Sequence, residues 1–259
     1  MCDYSISLNR ISFSYYNHNV FSDFSLQIEY NTISFIIGNN GCGKTTLLKL
    51  ICGLIQPNKG EILIHNKRID TMTVNKKARM ISYVPQTIHM NSDFLVKDYL
   101  ALGRSPYLHW GHTLSKDDYQ KIEETADILG ILPLIDKVFD ELSGGQKQIV
   151  AVARAIVQNT PIIVMDEPMS ALDIRKQTEL LLLLVKLQKE GKTIILTTHN
   201  PNHTLQFDCK VGLLNSGKLI GYGNADNILT NENINIIFGD YVRMISHQNQ
   251  KNIQFNMRR

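Results

Sequence analysis

Apolar residues alternate with polar ones at Ile6, Leu8, Ile11 and Phe13, and again at Phe24, Leu26 and Ile28. This period near two predicts antiparallel β strands at the start of the chain. Thr32 to Ile37 is a short apolar run that reads as a buried strand, and Leu47, Leu48, Leu50, Ile51 and Leu54 follow it at helical spacing. Pro57-Asn58-Lys59-Gly60 makes a turn into a strand from Glu61 to Ile64, and Arg79 to Val84 reads as another strand. From about Thr87 to Thr160 the pattern is helical. Ser115 and Asp118 form a capping pair for a helix carrying Tyr119, Ile122, Ala126 and Leu129, and a further helix runs from Gln146 to Gln158. The apolar strand Ile162 to Met165 ends in Asp166 and Glu167, a helix spans Ile174 to Glu190 with Leu180 to Val185 as its core, and Thr193 to Thr198 is a strand. After about Gly239 the chain turns polar and rich in Asn and Gln, ending Met257-Arg258-Arg259. This tail reads as a loosely packed extension, too short for a regulatory domain.

Composition narrows the class. With 259 residues, 43% hydrophobic and 20% charged, the chain can bury a sizeable core in one domain with a subdomain. A net charge of +3 is too mild to imply a nucleic-acid partner. The four cysteines, Cys2, Cys42, Cys52 and Cys209, show neither metal-ligand spacing nor a disulfide pattern, which suits a reducing compartment. No segment approaches the roughly 20 apolar residues that cross a bilayer, and the N-terminus does not read as a signal peptide.

Chemistry enters at Gly38-Asn39-Asn40-Gly41-Cys42-Gly43-Lys44-Thr45, which fits the phosphate-loop pattern G-x-x-x-x-G-K-[ST] between the expected strand and helix. Backbone N–H groups of such a loop, with the positive end of the following helix, can enclose a di- or triphosphate. Lys44 would reach the terminal phosphates and the Thr45 hydroxyl would bind magnesium. A glycine turn opening an ordinary core helix is the plain alternative, and the strand and helix flanking the pattern argue against it. Leu142-Ser143-Gly144-Gly145-Gln146 opens another helix with consecutive glycines and offers a second backbone-amide anion site.

In this order, these residues resemble the ATP-binding cassette (ABC) family, the ATPase subunits of ABC transporters, over nearly the whole chain from about Ile6 to Phe238. The resemblance implies an α/β fold: a P-loop NTPase core with an N-terminal antiparallel β subdomain and a helical subdomain inserted at about 87–160, within an ATPase domain of residues 1–239 followed by the polar extension 240–259. It implies ATP and Mg²⁺ as ligands, with Gly38, Asn39, Asn40, Gly41, Cys42, Gly43, Lys44, Thr45 and Thr46 around the phosphates. Ser143, Gly144, Gly145 and Gln146 form the signature sequence that meets the γ-phosphate held by the other subunit. Asp166 and Glu167 match the Walker B carboxylates, one near Mg²⁺ and one orienting the attacking water, roles that phosphoryl transfer requires. Gln86 matches the glutamine that touches Mg²⁺ and the lytic water, His199 the switch histidine at the γ-phosphate, and Tyr15, by spacing rather than Tyr16, the ring against adenine. Ser170-Ala171-Leu172-Asp173 matches the segment that carries contacts across the dimer, while Asp173 is also a plain N-cap. Met169 and Ile149 depart from the residues common at their positions, and Cys42 would make the loop thiol-sensitive wherever its sulfur is accessible.

One cassette without an internal repeat implies two chains packed head to tail around two ATP molecules, bound to a transmembrane permease at the cytoplasmic face of the membrane and served indirectly by a cargo-binding protein. Leu102-Gly103-Arg104-Ser105-Pro106-Tyr107 resembles cassettes of importers for ferric siderophores, haem and cobalamin. Thr197 to His203 and Asn227 to Asn233 resemble that group and the molybdate or tungstate importers as well. An exporter cassette shares the catalytic motifs and is the remaining transport alternative. A plain amphipathic surface helix ending at Gly103 is the ordinary reading of the first stretch. The roughly 120 residues between Lys44 and Asp166 leave no room for the coiled coil of a mechanical DNA-repair ATPase.

Overall fold

The computed structural model describes residues 4–88, 93–108, 111–247 and 250–255, so Cys2, Met257 to Arg259 and parts of the importer-like stretch 87–112 lie outside the described residues. The chain divides into two compact units: residues 1–71 with 193–259, and residues 72–192.

The first unit opens with β1 (Tyr4–Tyr15), β2 (His18–Glu29), β3 (Ile33–Ile37), α1 (Lys44–Ile51), β4 (Lys59–Ile64) and β5 (Lys67–Arg68). Strands β2, β1, β4 and β5 form an antiparallel sheet in that order. Its register sets Ile6 opposite Ile28 and Leu8 opposite Leu26, so the alternation seen in the sequence becomes one buried apolar face. Helix α1 stops at Ile51 because the Gly53 N–H returns to the Leu50 carbonyl and the Leu54 N–H to the Lys49 carbonyl, with Gly53 left-handed at φ 63°. Leu54, expected on the buried stripe, is therefore outside the helix and 59% exposed.

The second unit contains α2 (Val74–Met80), β6 (Ile81–Val84), α3 (Val96–Ala101), a 3₁₀ turn at Leu102–Tyr107, α4 (Lys116–Ile128), α5 (Gly144–Val157), β7 (Ile162–Met165) and α6 (Ile174–Lys189). The strand expected over Arg79 to Val84 is shorter. Arg79 and Met80 belong to α2, which Thr73 caps by accepting from the Lys76 N–H, and extended structure begins only where Ile81 pairs with Ile162. The Ser115–Asp118 capping box on α4 and the Asp173 cap on α6 are formed as the sequence predicts.

The first unit resumes with β8 (Thr193–Thr198), β9 (Lys210–Asn215), β10 (Lys218–Asn224), α7 (Ala225–Ile228), α8 (Asn231–Phe238), β11 (Val242–His247) and β12 (Gln250–Phe255). β3 runs parallel to both β8 and β9, and β10 closes on β9 antiparallel. Parallel sheets are covered on both faces, so their strands read as near-continuous apolar runs. All five residues of β3 are buried. The tail departs from expectation: β11 and β12 form an antiparallel hairpin, with Met244 opposite Ile253, and Ile253 is buried. Its polar composition masked a strand pattern in which the apolar residues Val242, Met244, Ile245, Ile253 and Phe255 are outnumbered by polar ones.

Candidate nucleotide site

Parallel pairing brings the expected phosphate contacts of the first unit to one edge. The register sets Ile37 opposite Thr198, so Gly38 and His199 each stand one residue beyond paired strand ends. The loop after β3 is tightly closed. A Cβ on Gly38 would lie 2.2 Å from the Leu214 carbonyl oxygen and 2.6 Å from Cys42 Sγ, so only glycine fits. Lys44, buried, donates from Nζ to the Gly38 carbonyl at 2.8 Å and the Asn39 carbonyl at 3.1 Å, which fixes its positive charge over the loop. Gly43 gives α1 no side-chain cap, and no acidic residue stands in its first turn, so the helix's own sequence leaves its positive end directed at the loop. This is a cradle suited to phosphate. Cys42 is buried and burial pushes its thiol upward, an effect the Lys44 charge only partly offsets, so the accessible thiol that would make the loop reagent-sensitive is not present. Asn39 donates its side-chain amide to the Ile237 carbonyl in α8. Tyr15 is exposed on the first unit with Phe13 against its edge at 4.8 Å.

In the second unit the same logic holds for β6 and β7. Val84 pairs with Met165, the Asp166 N–H donates to the Val84 carbonyl at 2.8 Å, and Gln86, Asp166 and Glu167 follow the paired ends. Gln86 Nε2 donates to Glu167 Oε2 at 3.3 Å. Asp166 is buried, Glu167 partly so and Gln86 exposed. Glu167 has φ 47°, a left-handed backbone that is uncommon and unfavourable for a residue with a side chain. The turn that enforces it is held by Ser170, whose N–H and hydroxyl both donate to the Glu167 carbonyl, at 3.2 and 3.0 Å.

The signature residues carry a feature that the sequence reading missed. Ser143 Oγ accepts from the Gln146 N–H at 3.3 Å, and Gln146 Oε1 accepts from the Ser143 N–H at 2.9 Å, a reciprocal cap on α5. The signal was present as Ser-x-x-Gln ahead of an apolar run. Gly144 has open space where a side chain would stand, whereas a Cβ on Gly145 would lie 2.8 Å from the Ala171 carbonyl oxygen. Gly145 thus lets the signature pack against the Ser170 to Asp173 segment. Met169 and Ile149, the departures from common usage, are both buried and fill core space.

The stretch Gly103 to Tyr107 is an inward-facing cluster and not a plain surface helix. Gly103, Arg104 and Pro106 are buried, Arg104 Nε donates to Asp118 Oδ1 at 2.7 Å and its Nη1 to the Val157 carbonyl at 3.0 Å, and its guanidinium stacks 4.2 Å from the Tyr107 ring centroid. Burial pushes the Asp118 carboxyl upward, but the Ser115 hydroxyl and the Arg104 guanidinium outweigh it and bring it down to about 2.

The ABC transporter family profile matches residues 21–170, and an AAA domain profile also matches residues 138–203. The molybdate import ATP-binding protein MolC of Haemophilus influenzae is 33% identical over 236 residues, covering 90% of this chain and 88% of the relative. The iron(3+)-hydroxamate import ATP-binding protein FhuC of Bacillus subtilis is 30% identical over 235 residues, covering 90% and 87%. Among solved structures, a chain from an inward-facing transporter assigned to the metal-chelate type superposes with a TM-score of 0.82 at 30% identity, covering 98% of this chain and 97% of that one.

Proposed function

The chain belongs to the ABC transporter family and is an ATPase, and from that membership we propose that it powers an importer of ferric chelates. The observation that carries the catalytic assignment is the Gln86 amide on the Glu167 carboxylate, set on a strained turn at the end of a parallel strand. Glu167 orients the attacking water and accepts its proton, while Gln86 holds the carboxylate in place. Lys44 and the loop amides take the β- and γ-phosphates, and His199 donates to the γ-phosphate. Magnesium, when bound, would neutralise phosphate charge; the Thr45 hydroxyl, the Gln86 carbonyl and the Asp166 carboxylate are the oxygen donors that such a hard cation takes. Tyr15 stacks on adenine.

Ser143, Gly144, Gly145 and Gln146 serve a second copy of the chain, closing over the γ-phosphate bound to that copy. The Ser143–Gln146 cap uses an acceptor lone pair of the hydroxyl, so the Ser143 O–H remains a donor for a phosphate held by the other copy. No helix among the described residues is long and apolar enough to cross a membrane. In this reading the chain works at the cytoplasmic face, on permease subunits that a cargo-binding protein supplies.

The choice of cargo rests on the Gly103 to Tyr107 cluster and on the metal-chelate structure that matches along nearly the full length. Molybdate is the second reading, favoured by the MolC likeness. Reconstitution with the permease in liposomes separates them. ATP turnover rises with ferric-chelate-loaded binding protein and not with molybdate, and Glu167→Gln abolishes the rise, cutting turnover by at least about 100-fold while ATP stays bound. Stimulation by molybdate alone overturns the cargo assignment, and parental turnover in Glu167→Gln overturns the catalytic one.

A further inference from the structure

The chain from Asn231 to Phe255 touches the nucleotide edge of its own unit at two places. At one, Asn39 of the phosphate loop donates to the Ile237 carbonyl in the last turn of α8, and α8 is tied to β11 by the Met244 N–H, which donates to Asn231 Oδ1 at 2.9 Å. At the other, β12 holds the segment that follows His199. Asn202 Nδ2 donates to the Ile253 carbonyl at 3.0 Å and the Ile253 N–H donates to Asn202 Oδ1 at 2.8 Å, so one side-chain amide pairs with β12 as a neighbouring strand would.

From Asn202 the bonds run to both residues that flank the histidine. The Asn202 N–H donates to Asn200 Oδ1 at 3.1 Å, and the Asn200 N–H donates to Thr198 Oγ1 at 3.1 Å. Buried His203 closes the ring, with Nδ1 3.1 Å from Thr198 Oγ1 and Nε2 3.4 Å from Asn200 Nδ2. The Asn200 amide donates to Nε2, which leaves the proton of a neutral ring on Nδ1, facing the threonine oxygen. His199 is exposed, yet its two chain neighbours are each held by this network. A side chain that must meet a phosphate in one geometry gains from such support, because the ordering is done before the ligand arrives.

We propose that Asn202 is a positioning residue for His199, and that α8 with the C-terminal hairpin is a strut joining the phosphate loop to the histidine switch. The proposal rests on the reading of His199 as a γ-phosphate contact. It predicts that Asn202→Ala, and the isosteric Asn202→Asp, lower kcat for ATP at least about fivefold while KM stays within about twofold, the mark of a contact made in the transition state. The deficit vanishes in a His199→Ala background, where the double variant matches the single one. A purely structural role would lower turnover in both backgrounds alike. Amide hydrogen exchange over residues 198–205 rises in the Asn202 variants, and the protection that ATP confers on that segment in the parent is lost. Parental kcat together with parental exchange overturns the proposal, as does an equal loss in the His199→Ala background. If the parent protein with its permease shows no ATP turnover, the functional reading falls, and the exchange measurement alone still decides the strut.

Discussion

At the scale of single residues, the site stores strain where the chemistry needs a fixed direction. Glu167 holds φ at 47°, which costs a non-glycine residue about 1–3 kcal/mol and is enforced by the two Ser170 bonds to its carbonyl. Replacing it by glycine relieves the backbone and removes the carboxylate. Glu167→Gly is expected to unfold at a higher temperature than the parent, by about 1 kcal/mol of added stability, while ATP turnover falls at least about 100-fold. Calorimetry beside a phosphate-release assay checks both halves, and a less stable Glu167→Gly chain would show that the turn is unstrained. The candidate site residues were legible in the sequence, since Gly38, Asp166, Glu167 and His199 stand in motif order at predicted strand ends and Lys44 at the predicted helix start. Bonds such as Asn202 to Ile253 were not, because they join residues far apart in the chain through backbone groups that carry no sequence signal.

Among the elements, the Arg104–Asp118 pair ties the 3₁₀ turn at Leu102–Tyr107 to α4, and Arg104 continues to the end of α5 through the Val157 carbonyl. Both side chains are buried, so removing one leaves the other charge without compensation, a loss of about 3–5 kcal/mol. Asp118→Asn is expected to lower the urea midpoint at pH 7. The native Asp118 carboxyl at about 2 lies below its ordinary value of 3.8, so its contribution is present above pH 4 and is lost as the pH falls through 2. The variant should therefore show a flatter decline of stability between pH 4 and pH 2 than the parent. An equal decline would mean that other carboxylates govern acid unfolding. Helix boundaries followed local chemistry: Ser115 and Asp173 cap their helices as the sequence predicts, and Ser143 caps α5, which begins two residues ahead of the expected start at Gln146. The errors came where tertiary pairing overrode local pattern. Arg79 and Met80 alternate plausibly into a strand but lie in a capped helix, and the Asn- and Gln-rich tail forms a hairpin because Asn202 and Asn231 offer amides to pair with it.

For the whole molecule, the phosphate loop and the signature of one chain are taken to serve different nucleotides in a two-chain assembly. Mixing then makes a specific forecast: a chain carrying Lys44→Ala and a chain carrying Ser143→Arg, each inactive alone, restore turnover when co-assembled with the permease, because a mixed pair has one site with both partners intact. Turnover no higher than either variant alone would remove the shared-site reading.

The division of the fold has a consequence for how the protein is made. Strand β3 is buried along its whole length, but β8, one of the two strands that flank it, begins only at Thr193. On a ribosome adding about 5–20 residues per second, the pentapeptide Ile33 to Ile37 waits roughly ten to thirty seconds for that partner. During this interval an uninterrupted stretch of residues, 72–192, emerges, and it makes up the second compact unit. An apolar segment of the nascent polypeptide is thus left without its strand partner for that interval, and it marks a place where a chaperone has something to protect.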